Sequence, residues 1–521
     1  MAMPNGAQIL IDGLVGAGVR ACFANPGTSE MHFVAALEDV SELRPVLCLF
    51  EGVATGAADG YGRMTGRPAC TLLHLGPGLA GGLANLHNAR RAATPLVNVV
   101  GDHALRHKRL DAPLESDIQA LAGTVSGWTR RTYHAAELAG DVADAVAAAT
   151  GPPGRIATLV VPADVSWSDA GDPPAAARPG PARRGLVSVD AVTGAADALR
   201  SGKSAAVLLG GEAVRGAGLA AAARIAAATG AALLYETFPA RAERGAGRPV
   251  VERLPYLPSD ARRRLAGVRH LVLAGAASPV AFFAYPGQDG ALVPEGCEVH
   301  TLAAGPEDVT AALAGLAEVL GPGSPVREEA ARPALPSGDL TAESAAAVIG
   351  ALLPEGAVVV DEANTSGLWL PGATAGAPPH DWLTLTGGAM GQGLPLAVGA
   401  AVACPDRPVL ALVGDGAAMY TVQALWTQAR EGLDITTVVF DNRSYAILNL
   451  ELAAVGAHTA GARARRLLDL SGPPLDFVAL ARGMGVPAER AETAEEFAAL
   501  LKRGLAEPGP FLIDCVVPSL V

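Results

Sequence analysis

The chain has 521 residues, half of them apolar, and a formal net charge of −13. That length accommodates about three ordinary domains with sizeable cores. An acidic chain without a basic stripe excludes nucleic acid as an expected partner.

The N-terminus, MAMPNGAQILIDGLV, lacks the basic region and long apolar core of a signal peptide. No uninterrupted apolar run is long enough to span a bilayer. The six cysteines are scattered without a CxxC pair, each in or beside an apolar run, and read as buried thiols of a reducing compartment. A cytoplasmic protein without a membrane partner is expected. Two stretches rich in proline, alanine and glycine, 168–185 and 321–338, read as linkers. They divide the chain into 1–170, 186–322 and 338–521. Each part alternates short apolar runs with alanine-rich helical stretches, the α/β pattern of open sheets.

In the first part, apolar runs at 20–24, 46–50, 70–73, 96–100 and 156–161 read as strands. The first runs into Asn25-Pro26-Gly27-Thr28-Ser29-Glu30, where Thr28 or Ser29 can cap the next helix. The second ends at Phe50, and Glu51 opens a helix over 51–64. The third ends at His74-Leu75-Gly76-Pro77-Gly78. These ends gather Asn25, Thr28, Glu51 and His74 at the sheet edge where open α/β folds bind ligands. A carboxylate closing a buried run faces low dielectric, which favours its neutral acid. The helix dipole alone also accounts for an acid there. His74 can shuttle protons or simply close a strand against a turn. His103 and His107 lie four apart, but no third metal ligand accompanies them, and they read as a polar loop.

The middle part carries Rossmann-type runs at 205–209 and 268–273, but no GxGxxG follows a strand. The third part opens with a run at 357–360, followed by Asp361-Glu362-Ala363-Asn364-Thr365-Ser366. Gly387-Gly388-Ala389-Met390-Gly391 follows the next strand and leads into an apolar helix. Then come a strand at 409–413, the turn Gly414-Asp415-Gly416, a helix over 419–430 and a strand at 435–440 ending in Asp441-Asn442. Strand, helix and strand make a right-handed parallel crossover, which puts Asp415 and Asn442 on one sheet edge. One carboxylate, one amide oxygen and a backbone carbonyl suit Mg²⁺, which completes its shell with water and phosphate. Gly416 and Ala417 offer N–H groups at a helix start, a seat for phosphate.

This stretch resembles the thiamine-diphosphate-binding motif. With the motifs before it, the whole chain resembles the thiamine-diphosphate-dependent enzymes of the acetolactate synthase and benzoylformate decarboxylase group. Asp441 replaces the first of the motif's two asparagines, a position that is not a metal ligand. The resemblance implies three open-sheet domains: pyrimidine-binding (PYR), central Rossmann-like, and diphosphate-binding (PP). It implies Mg²⁺ on Asp415, Asn442 and the carbonyl of Ser444, with Tyr445 reaching the diphosphate. Asn25, Asn364, Thr365, Gly388, Gly414, Gly416 and Ala417 would surround the cofactor, and Met390 would wedge beneath it. Glu51 would hydrogen-bond the aminopyrimidine so that C2 becomes an ylid, which adds to a small 2-oxo acid and releases CO₂ through an enamine.

His74 and Thr28 would meet substrate as in benzoylformate decarboxylase, in an apolar pocket lined by Leu75, Leu114, Phe283, Ile447 and Leu448. That enzyme's second catalytic histidine falls near Phe282-Phe283, where this chain has none. Acetolactate synthases hold FAD in the central domain. Here Glu236-Thr237-Phe238-Pro239-Ala240-Arg241 replaces the glycine-rich stretch, and FAD is not expected. The family arrangement implies a homodimer or homotetramer, with the cofactor between the PYR domain of one subunit and the PP domain of another. Decarboxylation and carboligation both stay open, with a 2-hydroxyacyl-CoA lyase or a non-catalytic cofactor-binding homologue as alternatives.

Overall fold

The computed structural model describes residues 4–171, 180, 183–457 and 461–520. Three twisted sheets follow one another along the chain. The first is all parallel, in the order Arg44–Leu47, Ala21–Asn25, Ala69–Leu73, Leu96–Asp102, Ile156–Pro162, Trp128–Arg131. The second is also parallel, in the order Glu252–Arg253, Ala232–Tyr235, Ala205–Leu209, His270–Ala274, Glu298–Ala303. The third runs Ala488–Ala491, Phe511–Val516, Ile435–Asp441, Val409–Gly414, Val358–Glu362, His380–Thr384 and Ala242–Arg244. Its last strand comes from the middle of the sequence and pairs antiparallel with His380–Thr384.

The central strands are continuous apolar runs because helices cover both faces. The first and third sheets share one hydrophobic core, which holds Phe23 and Val53 together with Val413 and Phe477. Two helices, Glu51–Thr65 and Gly393–Ala403, meet at its centre. They approach closely because glycines face the contact. A Cβ on Gly60 would lie 2.2 Å from the Leu396 carbonyl oxygen, and one on Gly399 would lie 1.8 Å from that of Ala57.

The same helix carries a buried ion pair. Arg63 donates to both carboxylate oxygens of Asp59, Nε at 2.9 Å and Nη2 at 2.6 Å. Thr94 Oγ1 and Gln392 Nε2 donate to Asp59 as well, at 2.5 and 2.7 Å. The remaining guanidinium hydrogens reach the carbonyls of Thr384 (2.8 Å) and Ala240 (3.2 Å) and the Thr386 hydroxyl (2.9 Å). Around it, Thr384 Oγ1 donates to the Pro239 carbonyl, and Arg241 pairs with Asp381. Residues 236–241 therefore join the three parts of the chain.

Several expectations need correction. Residues 172–179 and 181–182 of the first expected linker lie outside the described residues. The second, 321–338, contains no helix, strand or buried residue, and it touches the central segment where Val250 N–H donates to the Val326 carbonyl and Glu328 N–H to that of Arg248. The helix expected over 419–430 forms only over Ala424–Glu431, after a separate short helix, Asp415–Ala418. Between them Thr421 turns its hydroxyl to the Gly391 carbonyl at 2.9 Å, a tertiary contact that periodicity does not reveal. Cys297 and Cys404 are partly exposed rather than buried. His103 and His107 lie in a loop, as expected, with their rings tilted at 54° and 5.3 Å between centres. Among the described residues no helix is long and apolar enough to cross a membrane.

Removing one partner of a buried, fully hydrogen-bonded ion pair strands the other charge. Arg63→Met is expected to lower unfolding stability by about 3–5 kcal/mol in chemical denaturation. Exposed Arg44→Met, at the Glu431 pair, should change it by less than about 1 kcal/mol.

Candidate active site

Two clusters stand at the C-terminal edges of the first and third sheets. In the first, Asn25 ends its strand and donates from Nδ2 to Glu51 Oε1 at 3.0 Å. Glu51 is the first residue of its helix. The helix Leu75–Arg91 passes close to the carboxylate at Gly78 and Gly81, where added Cβ atoms would sit 3.3 and 3.0 Å from its oxygens. Glycine there leaves the acid room on that side.

His74 stands at the next strand end, its ring lying on Gly27. Its Nδ1 is 2.8 Å from Glu30 Oε2 and 3.3 Å from Ser29 Oγ. Glu30 is almost wholly buried. It also accepts from the Gly27 N–H at 2.7 Å and from Ser29 Oγ at 2.5 Å. A carboxylate on Nδ1 fixes the ring and leaves Nε2 as the nitrogen that can exchange a proton with a ligand. The sequence reading missed Glu30. An acid five residues past a strand end looks like a helix-cap partner, and only the fold shows that it meets His74. Neither Thr28 nor Ser29 caps the following helix, Met31–Ala36; Thr28 is exposed on a short 3₁₀ turn.

The second cluster sits between Val358–Glu362 and Val409–Gly414. Here the strand order runs outward in both directions, the position at which open sheets bind ligands. Asp415 is buried. It accepts from the N–H groups of Gly416 and Arg443, both at 2.7 Å. The Gly416 N–H, expected to face phosphate, is thus taken by Asp415. Burial, with Asp441 nearby, pushes the Asp415 pKa up to about 6. Among the described residues no cationic side chain pairs with it.

Asn442 Oδ1 accepts from Ser444 N–H at 3.0 Å, and its Nδ2 faces Ser366 Oγ at 3.4 Å. Asn364 takes φ 52°, donates to the Glu362 carbonyl and lies beside Gly414. Thr365 is buried next to it. The Tyr445 ring covers Gly416, where a Cβ would fall 2.4 Å from Cε1. Ala417 is buried in the short helix that begins at Asp415.

The buried, uncompensated carboxylate of Asp415, tied by the Arg443 N–H to the loop that carries Asn442 and Ser444, fits a hard divalent cation that supplies the missing positive charge. Buried Glu362 accepts the N–H groups of Gly391, Gln392 and Gly393 at 2.7, 3.2 and 2.7 Å. Burial dominates its surroundings and raises its pKa to about 7. It anchors the loop that carries Gly388 (φ 74°) and half-buried Met390.

Of the expected pocket residues, Leu75 (φ 51°) is buried in the core shared by the first and third sheets and does not line an open surface of the chain. Leu114 is exposed. Ile447 and Leu448 lie on the helix Ala446–Ala454, half-buried and exposed. Phe283 packs on Phe282, whose ring covers Gly388; a Cβ there would meet Phe282 Cζ at 2.3 Å. Phe238 and Tyr256 complete this aromatic cluster at ring distances of 5.5–6.1 Å. Tyr256 and Tyr285 donate their hydroxyls to Glu451 of the Ala446–Ala454 helix at 3.1 and 2.9 Å. No hydrogen bond or ion pair among the described residues joins Asn25, Glu51 or His74 to Asp415, Asn442, Ser444 or Tyr445.

Comparison with known proteins identifies both ends of the chain. Residues 4–121 match the N-terminal TPP binding domain of thiamine pyrophosphate enzymes, and 365–515 match the C-terminal TPP binding domain. The chain belongs to the thiamine-diphosphate-dependent enzymes, of the acetolactate synthase and benzoylformate decarboxylase type. It is 63% identical over 520 residues, 99% of this chain and 100% of the other, to a Mycobacterium tuberculosis protein provisionally named as an acetolactate synthase large subunit, IlvX. It is 30% identical to benzoylformate decarboxylase of Pseudomonas aeruginosa, over 95% of this chain and 96% of that one. In fold it is similar to a thiamine diphosphate-dependent 4-hydroxybenzoylformate decarboxylase of Rhodococcus jostii, with a TM-score of 0.86, 24% identity and 99% of both chains covered.

Asp415→Asn removes the only carboxylate of the proposed cation set. It is expected to weaken binding of thiamine diphosphate in the presence of Mg²⁺ by about a hundredfold or more, followed by quenching of intrinsic fluorescence, with the circular dichroism unchanged.

Proposed function

We propose that the protein is a thiamine-diphosphate- and Mg²⁺-dependent 2-oxo acid decarboxylase whose substrate carries an aromatic or large apolar side chain. The observation that carries this reading is the Phe282 ring on Gly388, in the loop of Met390, with Phe238, Tyr256 and Phe283 around it. A wall of aromatic edges and faces gives an aryl group about 0.5–1.5 kcal/mol beyond its area burial. It also keeps water from a carboxylate about to leave as CO₂.

When bound, thiamine diphosphate supplies the nucleophilic carbon and the electron sink of the reaction. The chain's own residues do the rest. Asp415, Asn442 and the Ser444 carbonyl would hold Mg²⁺ and through it the diphosphate. Glu51, oriented by Asn25, holds a proton at its carboxyl for exchange with the aminopyrimidine. His74, fixed at Nδ1 by Glu30, moves a proton at Nε2 during addition to the 2-oxo group and during product release. Capture of a second carbonyl by the same site is the carboligase branch, which needs room for an acceptor.

The separation of the two clusters within one chain supports a site completed by a second copy, Glu51 of one subunit facing Asp415 of the other. A homodimer is then the smallest active unit. Glu51→Gln and Asp415→Asn, each inactive alone, should regain activity when refolded together, because a mixed dimer contains one intact pair. A mixture as inactive as its parts would place both residues in a site within one chain.

The test of function is incubation with thiamine diphosphate, Mg²⁺ and a panel of 2-oxo acids, with CO₂ and products followed together. An aryl 2-oxo acid should give the aldehyde. Glu51→Gln should lower that turnover by about 10²-fold or more, and Glu30→Gln should lower kcat by at least about tenfold with KM little changed. Phe282→Ala should raise KM for the aryl acid more than for pyruvate. Pyruvate turned over in preference, with acetolactate as product, would overturn the aryl reading in favour of an acetolactate synthase.

A further inference from the structure

We propose that His270, Glu298 and His300 form a binding site for a late first-row divalent cation, Zn²⁺ foremost, at the edge of the central sheet opposite the aromatic cluster. His270 opens the strand His270–Ala274, and Glu298 opens the sheet's edge strand, Glu298–Ala303. The two strands are parallel, with His270 opposite Glu298 and Val272 opposite His300. Residues two apart on a strand share a face. Register alone therefore brings the two imidazoles and the carboxylate to one side of the sheet.

The spacing is that of a metal site. His270 Nδ1 lies 3.1 Å from His300 Nε2. Two nitrogens bound to Zn²⁺ at 2.0–2.1 Å with a tetrahedral angle stand about 3.3 Å apart. Glu298 Oε2 is 3.8 Å from the first nitrogen and 4.0 Å from the second. Its side chain is mostly exposed and free to swing in, whereas His270 is buried and held. All three ligand atoms fall within 4.8 Å of one another. Without a cation, two neutral imidazoles at this distance share only one proton between facing nitrogens.

Two imidazoles and one carboxylate select Zn²⁺, Ni²⁺ or Cu²⁺ over Mg²⁺, which prefers oxygen alone. The fourth position is left for water. His270 Nε2 is enclosed without a protein partner. A ligating histidine usually donates its second N–H to an acceptor, and loss of that partner costs about 10–100-fold in affinity. Affinity in the micromolar range, on the order of 10⁻⁶ M, is therefore expected rather than that of a zinc finger. Because the site ties the edge strand to its neighbour, occupancy adds stability by mass action.

The experiment uses full-length protein freed of transition metals and then saturated with thiamine diphosphate and excess Mg²⁺, so that the Asp415 site is occupied. Zn²⁺ is added by calorimetric titration and Co²⁺ by visible absorption. One saturable site per chain is expected, with the intense visible bands of tetrahedral Co²⁺ and a higher thermal midpoint in Zn²⁺. His300→Ala should weaken binding at least tenfold and remove the bands, and Glu298→Gln should weaken it several-fold. Both variants should keep wild-type circular dichroism and turnover, since neither residue touches the active site. Absence of saturable binding, binding that His300→Ala leaves unchanged, or a weak octahedral Co²⁺ spectrum would each overturn the proposal.

Discussion

Arg63 is the side chain on which the three parts of the chain converge. It grows from the Glu51 helix, pairs with Asp59 one turn earlier, and spends its other hydrogens on a central-segment carbonyl and on two groups at the end of the His380–Thr384 strand. Such a pair is costly to bury and stays because both carboxylate oxygens of Asp59 and the guanidinium hydrogens of Arg63 find partners. Its consequence is positional. The helix that begins at Glu51 and the helix that begins at Gly393 are held in one register, and glycines at Gly60 and Gly399 let their backbones touch. Glu51 and the Met390 loop each lie at the start of one of these helices, so a fixed contact between the helices fixes both starting points.

The same device recurs closer to the chemistry. Glu30 and Glu362 are buried carboxylates that serve backbone N–H groups, and each holds an element of the proposed site: the His74 ring in one case, the Gly388–Met390 loop in the other. A buried acid that accepts several hydrogen bonds is a stiffer anchor than a surface turn, because moving it leaves charged oxygens unsatisfied in low dielectric. Asp415 is likewise buried on backbone donors with no cationic partner among the described residues, and in the reading proposed above a bound divalent cation supplies the missing charge.

The positions of Asn25, Glu51, His74, Asp415 and Asn442 were legible in the sequence because each follows a short apolar run. In parallel α/β topology all such ends face one edge. What the sequence hid depends on contacts between distant segments. Glu30 looks like a cap residue until His74 is seen 2.8 Å away. Glu451 looks like a surface acid on a helix until two tyrosines from the central segment reach it. The break at 419–423 and the adoption of Ala242–Arg244 by the third sheet likewise arise from tertiary pairing that no local period records.

The central segment makes the final point. Read linearly, it is defined by what it lacks: a glycine-rich stretch at 236–241 and a histidine near 282–283. In the folded chain those two places carry different chemistry. Residues 236–241 donate and accept across to the Asp59–Arg63 network and Asp381, and Phe238 and Phe282 meet at 5.9 Å beside Gly388. A bulky aromatic ring at Phe282 needs a bare neighbour, and Gly388 is bare. Substituting an apolar ring for an imidazole removes a proton carrier from that side of the site. In the reading proposed above, acid–base work then falls to Glu51 and to the His74–Glu30 pair in the first part of the chain, and an aryl group of the substrate would cover the exposed Phe282 and Phe283 rings.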